Sequence, residues 1–346
     1  MRLNPIFRPH SSPSRRKLSR SLAVLLTTSA LVLSACGSTE EEEGAEVEQA
    51  VALEVDPSRV MLQSTGAGPG RVLEFNDIPA DEDGASPQET TIEVSQGFQQ
   101  SVATGDAVDP AAPTVTDFGE GEMDTITLPL SATAAAADEP DNENEVEADR
   151  NVRWQLGTPT HSDISQNEDL ASATGFRLGL RSNFNGQATT VQLAAPVEAT
   201  DVGRQTAESA LMKVLSLPVV FPDEAVGPGA IWSVDSRVTG EATLLQTTTY
   251  TLKEVSGQGV ELDVSVTQRP ALGALSLEGQ EGMAEGEAGT LNVLNSNTTS
   301  TGSLSVDLGQ SLPVAGRVEF TTRVIYGGED SEVRVVQDSS SVLDFG

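Results

Sequence analysis

The stretch VELDVSV, residues 260–266, alternates apolar and polar side chains without a break. A period of two puts Val260, Leu262, Val264 and Val266 on one face of an extended chain and Glu261, Asp263 and Ser265 on the other. Such a strand lays one face on a core and leaves the other in water, the habit of antiparallel sheets. Comparable short runs lie outward from it in both directions. On the N-terminal side they are VALEV (51–55), RVLEF (71–75) and residues 89–104, 122–132, 150–157, 175–182, 186–194, 229–240 and 243–255. The run around VELDVSV itself covers 259–269, and 303–309, 315–326 and 331–343 follow it. Gly- and Pro-rich punctuation such as TGAGPG (65–70) separates them. The expected fold class is therefore mainly β (α+β), with antiparallel sheets.

One segment has a helical period instead. Between Gly203 and Ser216 the residues Ala207, Leu211, Val214 and Leu215 form a single apolar stripe. Thr200 or Asp201 is placed to cap its start, and Pro218 to stop it. Acidic, turn-rich segments fill 105–121, 133–149 and 271–300. The second, and the Gly/Glu-rich stretch 278–290 within the third, read as long exposed loops without fixed structure. The stretch ATGFRLGLRSNFNGQATTVQL (173–193) is weakly echoed by STGSLSVDLGQSLPVAGRVEFTTRV (300–324), each with a turn ending in glycine, Gly186 or Gly316. The echo predicts two pseudo-repeated β lobes, 51–200 and 219–346, with the amphipathic helical linker 201–218 between them.

The chain opens quite differently. Six basic residues (Arg2, Arg8, Arg15, Arg16, Lys17, Arg20) precede an apolar stretch from Ser21 to Ala35. At 15 residues, diluted by Thr27, Thr28, Ser29 and Ser34, that stretch is shorter than the roughly 20 apolar residues a spanning helix needs. Residues 1–35 read as a secretory signal peptide. Its end, Leu33-Ser34-Ala35-Cys36, resembles the lipobox of bacterial lipoproteins: a leucine, two small residues, then cysteine. The resemblance implies a diacylglyceryl group on the Cys36 sulfur, cleavage before it, and residence on the outer leaflet of the cytoplasmic membrane. Two acyl chains hold stably where one holds only marginally. Arg15-Arg16, followed by Lys17-Leu18, also resembles a twin-arginine export signal, with the general secretion route as the alternative.

From Cys36 onward the chain holds 14 basic and 52 acidic residues, a net charge of −38. Nucleic acid, whose recognition rests on Lys and Arg, is excluded as a partner on that balance, and the same field repels an anionic lipid surface. The four consecutive glutamates of GSTEEEEGA (37–45) cannot be buried, so residues 36–50 are expected to form a lipidated acidic tether. Its reach is at most roughly 50 Å at about 3.5 Å per residue. Cys36 is the only cysteine and is taken by the anchor, so no disulfide is expected.

Candidate sites are few. His161, the one histidine after Cys36, stands in the polar stretch PTHSDISQNED and reads as a satisfied surface side chain. Oxygen-rich DEPDNENE (138–145) lacks the spaced Asp-X-Asp-X-Asp-Gly order of a calcium loop and reads as solvated acid. No metal, cofactor or catalytic residue is assigned, and no enzyme is expected. Pro222-Asp223-Glu224-Ala225-Val226-Gly227-Pro228-Gly229-Ala230-Ile231-Trp232 is the most distinctive stretch. It reads as a helix-to-strand connection with Trp232 packed beneath a sheet, and with no Lys and no helix after its glycines it is not a phosphate cradle.

That stretch, with VMLQSTGAGPGRVLEF (60–75) and TGSLSVDLGQSLPVAGRVEF (301–320), resembles an uncharacterised family of secreted lipoproteins from actinobacteria, a domain of unknown function. The resemblance implies an envelope location and a mainly β domain, and brings no activity. Two functional classes follow. One is a membrane-anchored binding or interaction module whose loops meet an envelope protein. The other is a carrier of an apolar ligand or lipid between its β lobes, an analogy at the level of fold.

Overall fold

The computed structural model describes residues 46–80, 86–119, 121–140, 146–238, 243–276, 290–328 and 331–346. Residues 1–45, with Arg15-Arg16, Leu33-Ser34-Ala35 and Cys36, lie outside them. The chain from Gly44 to Gly346 forms one compact unit.

Fifteen strands are present among the described residues. In chain order they are β1 (Val51–Glu54), β2 (Arg59–Thr65), β3 (Gln88–Thr104), β4 (Met123–Ala136), β5 (Arg150–Leu156), β6 (Thr160–His161) and β7 (Arg177–Ser182). Then come β8 (Ala188–Ala194), β9 (Ala230–Val238), β10 (Leu244–Ser256) and β11 (Gly259–Pro270). Last are β12 (Ala274–Ser276), β13 (Thr290–Asp307), β14 (Ala315–Gly327) and β15 (Val333–Phe345). Two helices accompany them, α1 (Asn167–Ala171) and α2 (Asp201–Leu215). All strands join one antiparallel sheet in the order β1-β8-β7-β5-β4-β3-β15-β14-β13-β11-β10-β9-β2, with β6 on β4 and β12 on β13. The VELDVSV alternation is borne out in β11, whose Val260, Leu262, Val264 and Val266 are buried while Glu261, Asp263 and Ser265 are exposed.

The ends of this order decide the shape. β1 and β2 are the two outer strands of the sheet, yet only Val55–Ser58 lie between them in the chain. Five residue steps span at most roughly 18 Å, so the sheet curls until its edges nearly meet. Its concave face carries the core: Trp154 and Val152 on β5, Leu178 and Leu180 on β7, Leu343 and Phe345 on β15, Trp232 and Val234 on β9.

Helix α2 lies against that concave face. Ala207, Ala210, Leu211 and Val214 are buried. Lys213 Nζ donates to Ser341 Oγ at 3.1 Å, and Gln246 Nε2 and the Tyr250 hydroxyl, both from β10, donate to the carbonyls of Ser216 and Pro218. Thr200 is the cap: its Oγ1 accepts from the Gly203 amide at 3.0 Å. Helix α1 packs so closely on α2 that a Cβ at Gly203 would stand 2.0 Å from the Asp169 carbonyl oxygen.

Four expectations need correction. RVLEF (71–75) is not a strand; it makes a single bridge, Arg71 with Val226, and its alternation serves to anchor buried Leu73 and Phe75. The region 271–300 is not one long loop, because β12 and the first eleven residues of β13 occupy much of it; residues 277–289 lie outside the described residues. Residues 133–136 belong to β4. Finally, β2 pairs with β9 and β3 with β15, so strands from the first expected lobe border both flanks of the second within a single sheet. Segment 105–121 also covers more than a loop would. Asn297 Nδ2, Thr299 Oγ1 and Arg323 Nη1 donate to the carbonyls of Pro110, Ala112 and Asp109, which fastens it over the convex face of β13 and β14.

Candidate ligand cavity

The connection from α2 to β9 carries the centre of the molecule. Trp232 is fully buried, and its Nε1 donates to the Val220 carbonyl at 2.8 Å. Its ring stacks on Tyr250 at 5.6 Å and faces Phe221 at 6.1 Å; Phe221 in turn meets Phe75 at 5.5 Å. The Arg150 guanidinium lies 4.3 Å from the Phe75 ring centroid. This row of four rings ends on a charge, and the charge is compensated. Arg150 donates from Nη1 to Asp77 Oδ1 at 3.1 Å and from Nε to Ser182 Oγ at 3.0 Å, while Ser311 Oγ donates to Asp77 Oδ2. Both partners of the pair are almost wholly buried. Burial pulls the Arg150 pKa below its usual value, and Asp77 and Asp149 oppose that pull.

A cavity of about 660 Å³ opens beside this row. Phe75, Arg150 and Gly186 stand at its buried end, and Val152, Trp154 and Leu180 form one wall. The last turn of α2 and its exit, Val214 to Val219, form another. Leu53, Asp56, Met212 and Arg237 are exposed and mark the mouth, which lies in the gap between the β1 and β9 flanks of the curled sheet. The volume is within the range typical of small-molecule sites, and the lining is mostly apolar.

Gly186 closes the buried end. With φ at +93°, it tucks the β7–β8 turn so tightly that a Cβ would stand 2.3 Å from the Val219 carbonyl oxygen and 2.9 Å from the Phe75 ring. The Asn185 carbonyl accepts from the Phe221 amide, and the Phe184 carbonyl from the Phe75 amide, locking the same turn to both aromatic anchors.

Two polar atoms in side chains that line the cavity have no hydrogen-bond partner among the described residues: Trp154 Nε1 and Ser236 Oγ. A buried donor left unpaired typically costs about 1–3 kcal/mol, so a native structure that keeps one calls for a reason.

The sequence motif sits apart from the chemistry but shapes it. Pro222 is buried, Asp223 accepts from Asn185 Nδ2 at 3.0 Å, and Glu224 is exposed. Gly227 donates its amide to the Thr65 carbonyl and Gly229 to the Leu252 carbonyl. A Cβ on Gly227 would stand 2.5 Å from the Ala67 carbonyl oxygen, so the TGAGPG turn and the motif's glycines press backbone on backbone. The third quoted patch joins them, since the Leu308 carbonyl accepts from the Asn76 amide just beyond RVLEF.

His161 requires a correction. It is buried, in β6, not on the surface; its Nδ1 accepts from the Asp163 amide at 2.9 Å and its own amide donates to Asn167 Oδ1. It does not line the cavity. Among the described residues no group of three or more His, Cys, Asp or Glu side chains is arranged to hold a metal. Of the acidic stretch 138–145, residues 141–145 lie outside the described ones.

Sequence reasoning passed over the Arg150–Asp77 pair, Trp154 and Ser236. One signal was available. In RNVRWQL (150–156) the parity that carries Val152, Trp154 and Leu156 inward also carries Arg150, and a charged residue in register with a core face marks a special interior. A scan against models of known protein families finds no match, and neither does a search of curated proteins.

Proposed function

We propose that this chain is a lipid-anchored protein of the cell envelope whose β domain binds and carries an apolar ligand in the cavity between α2 and the wall formed by β5 and β7. The observation that carries the reading is the cavity itself: an interaction module that works only through its surface has no use for 660 Å³ of apolar interior beside a fully packed aromatic row. In this reading β1 and β3–β8 of segment 51–200 form one wing of the sheet and β9–β15 of 219–346 the other, related by the weak repeat, with 201–218 between them and β2 on the far edge of the second. The anchor is the doubly acylated Cys36, preceded by the lipobox Leu33-Ser34-Ala35 and exported through Arg15-Arg16 or the general route. Of the expected tether 36–50, Glu46 to Glu48 are paired with the domain through the Val47–Pro196 bridge and the Arg204–Glu48 ion pair, so the stretch ahead of them sets the domain off the outer leaflet. The resemblance to actinobacterial secreted lipoproteins agrees with that placement. No catalytic step is assigned. The alternative, a binding module for an envelope protein, would rest on the exposed Asp223 and Glu224 of the motif loop.

Native mass spectrometry of the full chain, extracted from membranes in mild detergent, tests the reading. The expected spectrum shows a non-covalent adduct of a few hundred daltons that is lost on activation, beyond the mass of the acylated protein. A spectrum of the acylated protein alone, unchanged after incubation with a lipid extract, would overturn it.

A further inference from the structure

The cavity's own chemistry narrows what it takes, and this step rests on the carrier reading above. At roughly 30 Å³ per heavy-atom group, the share of one water in the liquid, about 660 Å³ holds on the order of 20 non-hydrogen atoms. That is the size of one long alkyl chain with a small head. Among the described residues that line the cavity, the charged ones are Arg150 at the buried end, neutralised by Asp77 at 3.1 Å, and the exposed Asp56 and Arg237 at the mouth. A carboxylate entering the buried end would find no counter-ion and would lose its water, which a low-dielectric interior penalises heavily. Donors are what the walls offer instead. Trp154 Nε1 on β5 can only donate, and Ser236 Oγ on β9 can donate or accept. Both residues line the cavity, but neither atom is exposed to it in the unliganded protein, so a guest reaches them only if the side chains turn on binding.

We infer that the cavity selects a neutral single-chain molecule bearing a carbonyl-type oxygen, such as a long-chain ester or ketone, whose oxygen accepts from Trp154 Nε1 while Ser236 serves its second polar group. Trp154 and Trp232 are the only tryptophans. Trp232 is spent on Val220, so a change in indole emission on binding reports Trp154.

The test presents the full chain with three probes of equal chain length from the same detergent solution: methyl palmitate, palmitate and hexadecane. Indole emission and native mass spectrometry are the readouts. Methyl palmitate is expected to bind about tenfold tighter than either of the others, the weight of one good hydrogen bond, and to shift the emission. Trp154→Phe keeps a smaller aromatic ring and removes the donor; it is expected to bring methyl palmitate down to the hexadecane level, read by native mass spectrometry. Should that variant fail to fold, Ser236→Ala is expected to weaken methyl palmitate severalfold and leave hexadecane unchanged. Equal binding of the three probes, or tightest binding of palmitate, overturns the inference and leaves the carrier reading standing. Binding of none of the three overturns both.

Discussion

At the scale of single residues, Lys213 is the sharpest case. It projects from α2 into the core, where it meets the Ser341 hydroxyl at 3.1 Å and the Phe320 ring at 6.0 Å, and burial lowers its pKa from 10.5 to about 8. Because the folded state holds this proton less tightly than the unfolded chain does, the unfolded chain carries more protons between pH 8 and 10.5. Stability contributed by Lys213 therefore grows as pH rises through that window and is lost again as pH falls back to 8. The span from 10.5 to about 8 corresponds to about 3 kcal/mol. Lys213→Met fills similar space without a charge, so the variant should be more stable than the parent at pH 7, by about 1–3 kcal/mol. Its advantage should shrink toward zero by pH 10.5. Urea unfolding of both proteins at half-unit pH steps measures the difference directly and cancels what the other titrating groups do; a pH-independent difference would remove Lys213 from the account. Tyr250 gives no comparable signal, because burial raises its phenol far above the usual range and the hydroxyl stays a donor to Pro218 at ordinary pH.

At the scale of elements, α2 depends on its first turn. Thr200 Oγ1 receives the Gly203 amide, and the Thr200 amide is itself given to Ser172 Oγ at 3.0 Å, so one residue ties the α2 start to α1. Thr200→Ala should cost about 1 kcal/mol, seen as a lower urea midpoint at unchanged slope, whereas Thr200→Ser should stay close to the parent. A loss as large for serine as for alanine would mean that the cap is not what matters. This helix was legible in advance, because Ala207, Leu211 and Val214 repeat on one face and a capping residue precedes them. So were the strands with one wet face, β11 above all. What escaped reading did so for physical reasons. The first half of β13, TLNVLNSNTTS, shows no alternation because neither of its faces is simply dry or wet. Inward, Thr298 bonds Gln268 and Thr322 in a buried polar network. Outward, Asn297 and Thr299 bond the carbonyls of segment 105–121. Conversely RVLEF alternates well and is still no strand, because Leu73 and Phe75 are buried as anchors of a connecting segment and only Arg71 has a bridge partner. The cavity was illegible for a third reason: two of its polar lining residues, Trp154 and Ser236, come from β5 and β9, just over 80 residues apart, and only the curl of the sheet brings them to one space.

At the scale of the whole molecule, an apolar interior is wrapped in a strongly acidic surface. Of the 52 acidic and 20 basic residues in the chain, the basic ones are few and partly spent in the interior or in local pairs. Arg150 is locked to Asp77, and Arg323 to Asp338 at 2.7 Å. Of the surface pairs, Lys253 with Asp263 is more than half exposed on both sides, so it contributes little. The dominant electrostatic term is thus repulsion among carboxylates, which the compact state concentrates and the unfolded chain relieves. Added salt screens that repulsion over a Debye length of about 8 Å at physiological ionic strength. The melting midpoint should accordingly rise by several degrees between 10 mM and 500 mM sodium chloride, since relief of 1–2 kcal/mol corresponds to roughly 2–8 °C for a domain of this size. The choice of a weakly structuring salt matters, because sulfate would raise the midpoint through apolar burial alone. A protein held by surface ion pairs would respond in the opposite sense, so a flat or falling midpoint in chloride would show that the few Arg and Lys pairs outweigh the acidic excess. The same screening should leave methyl palmitate binding unchanged, because the ester carries no charge and the charged pair at the buried end, Arg150 with Asp77 at 3.1 Å, lies beyond the reach of bulk ions.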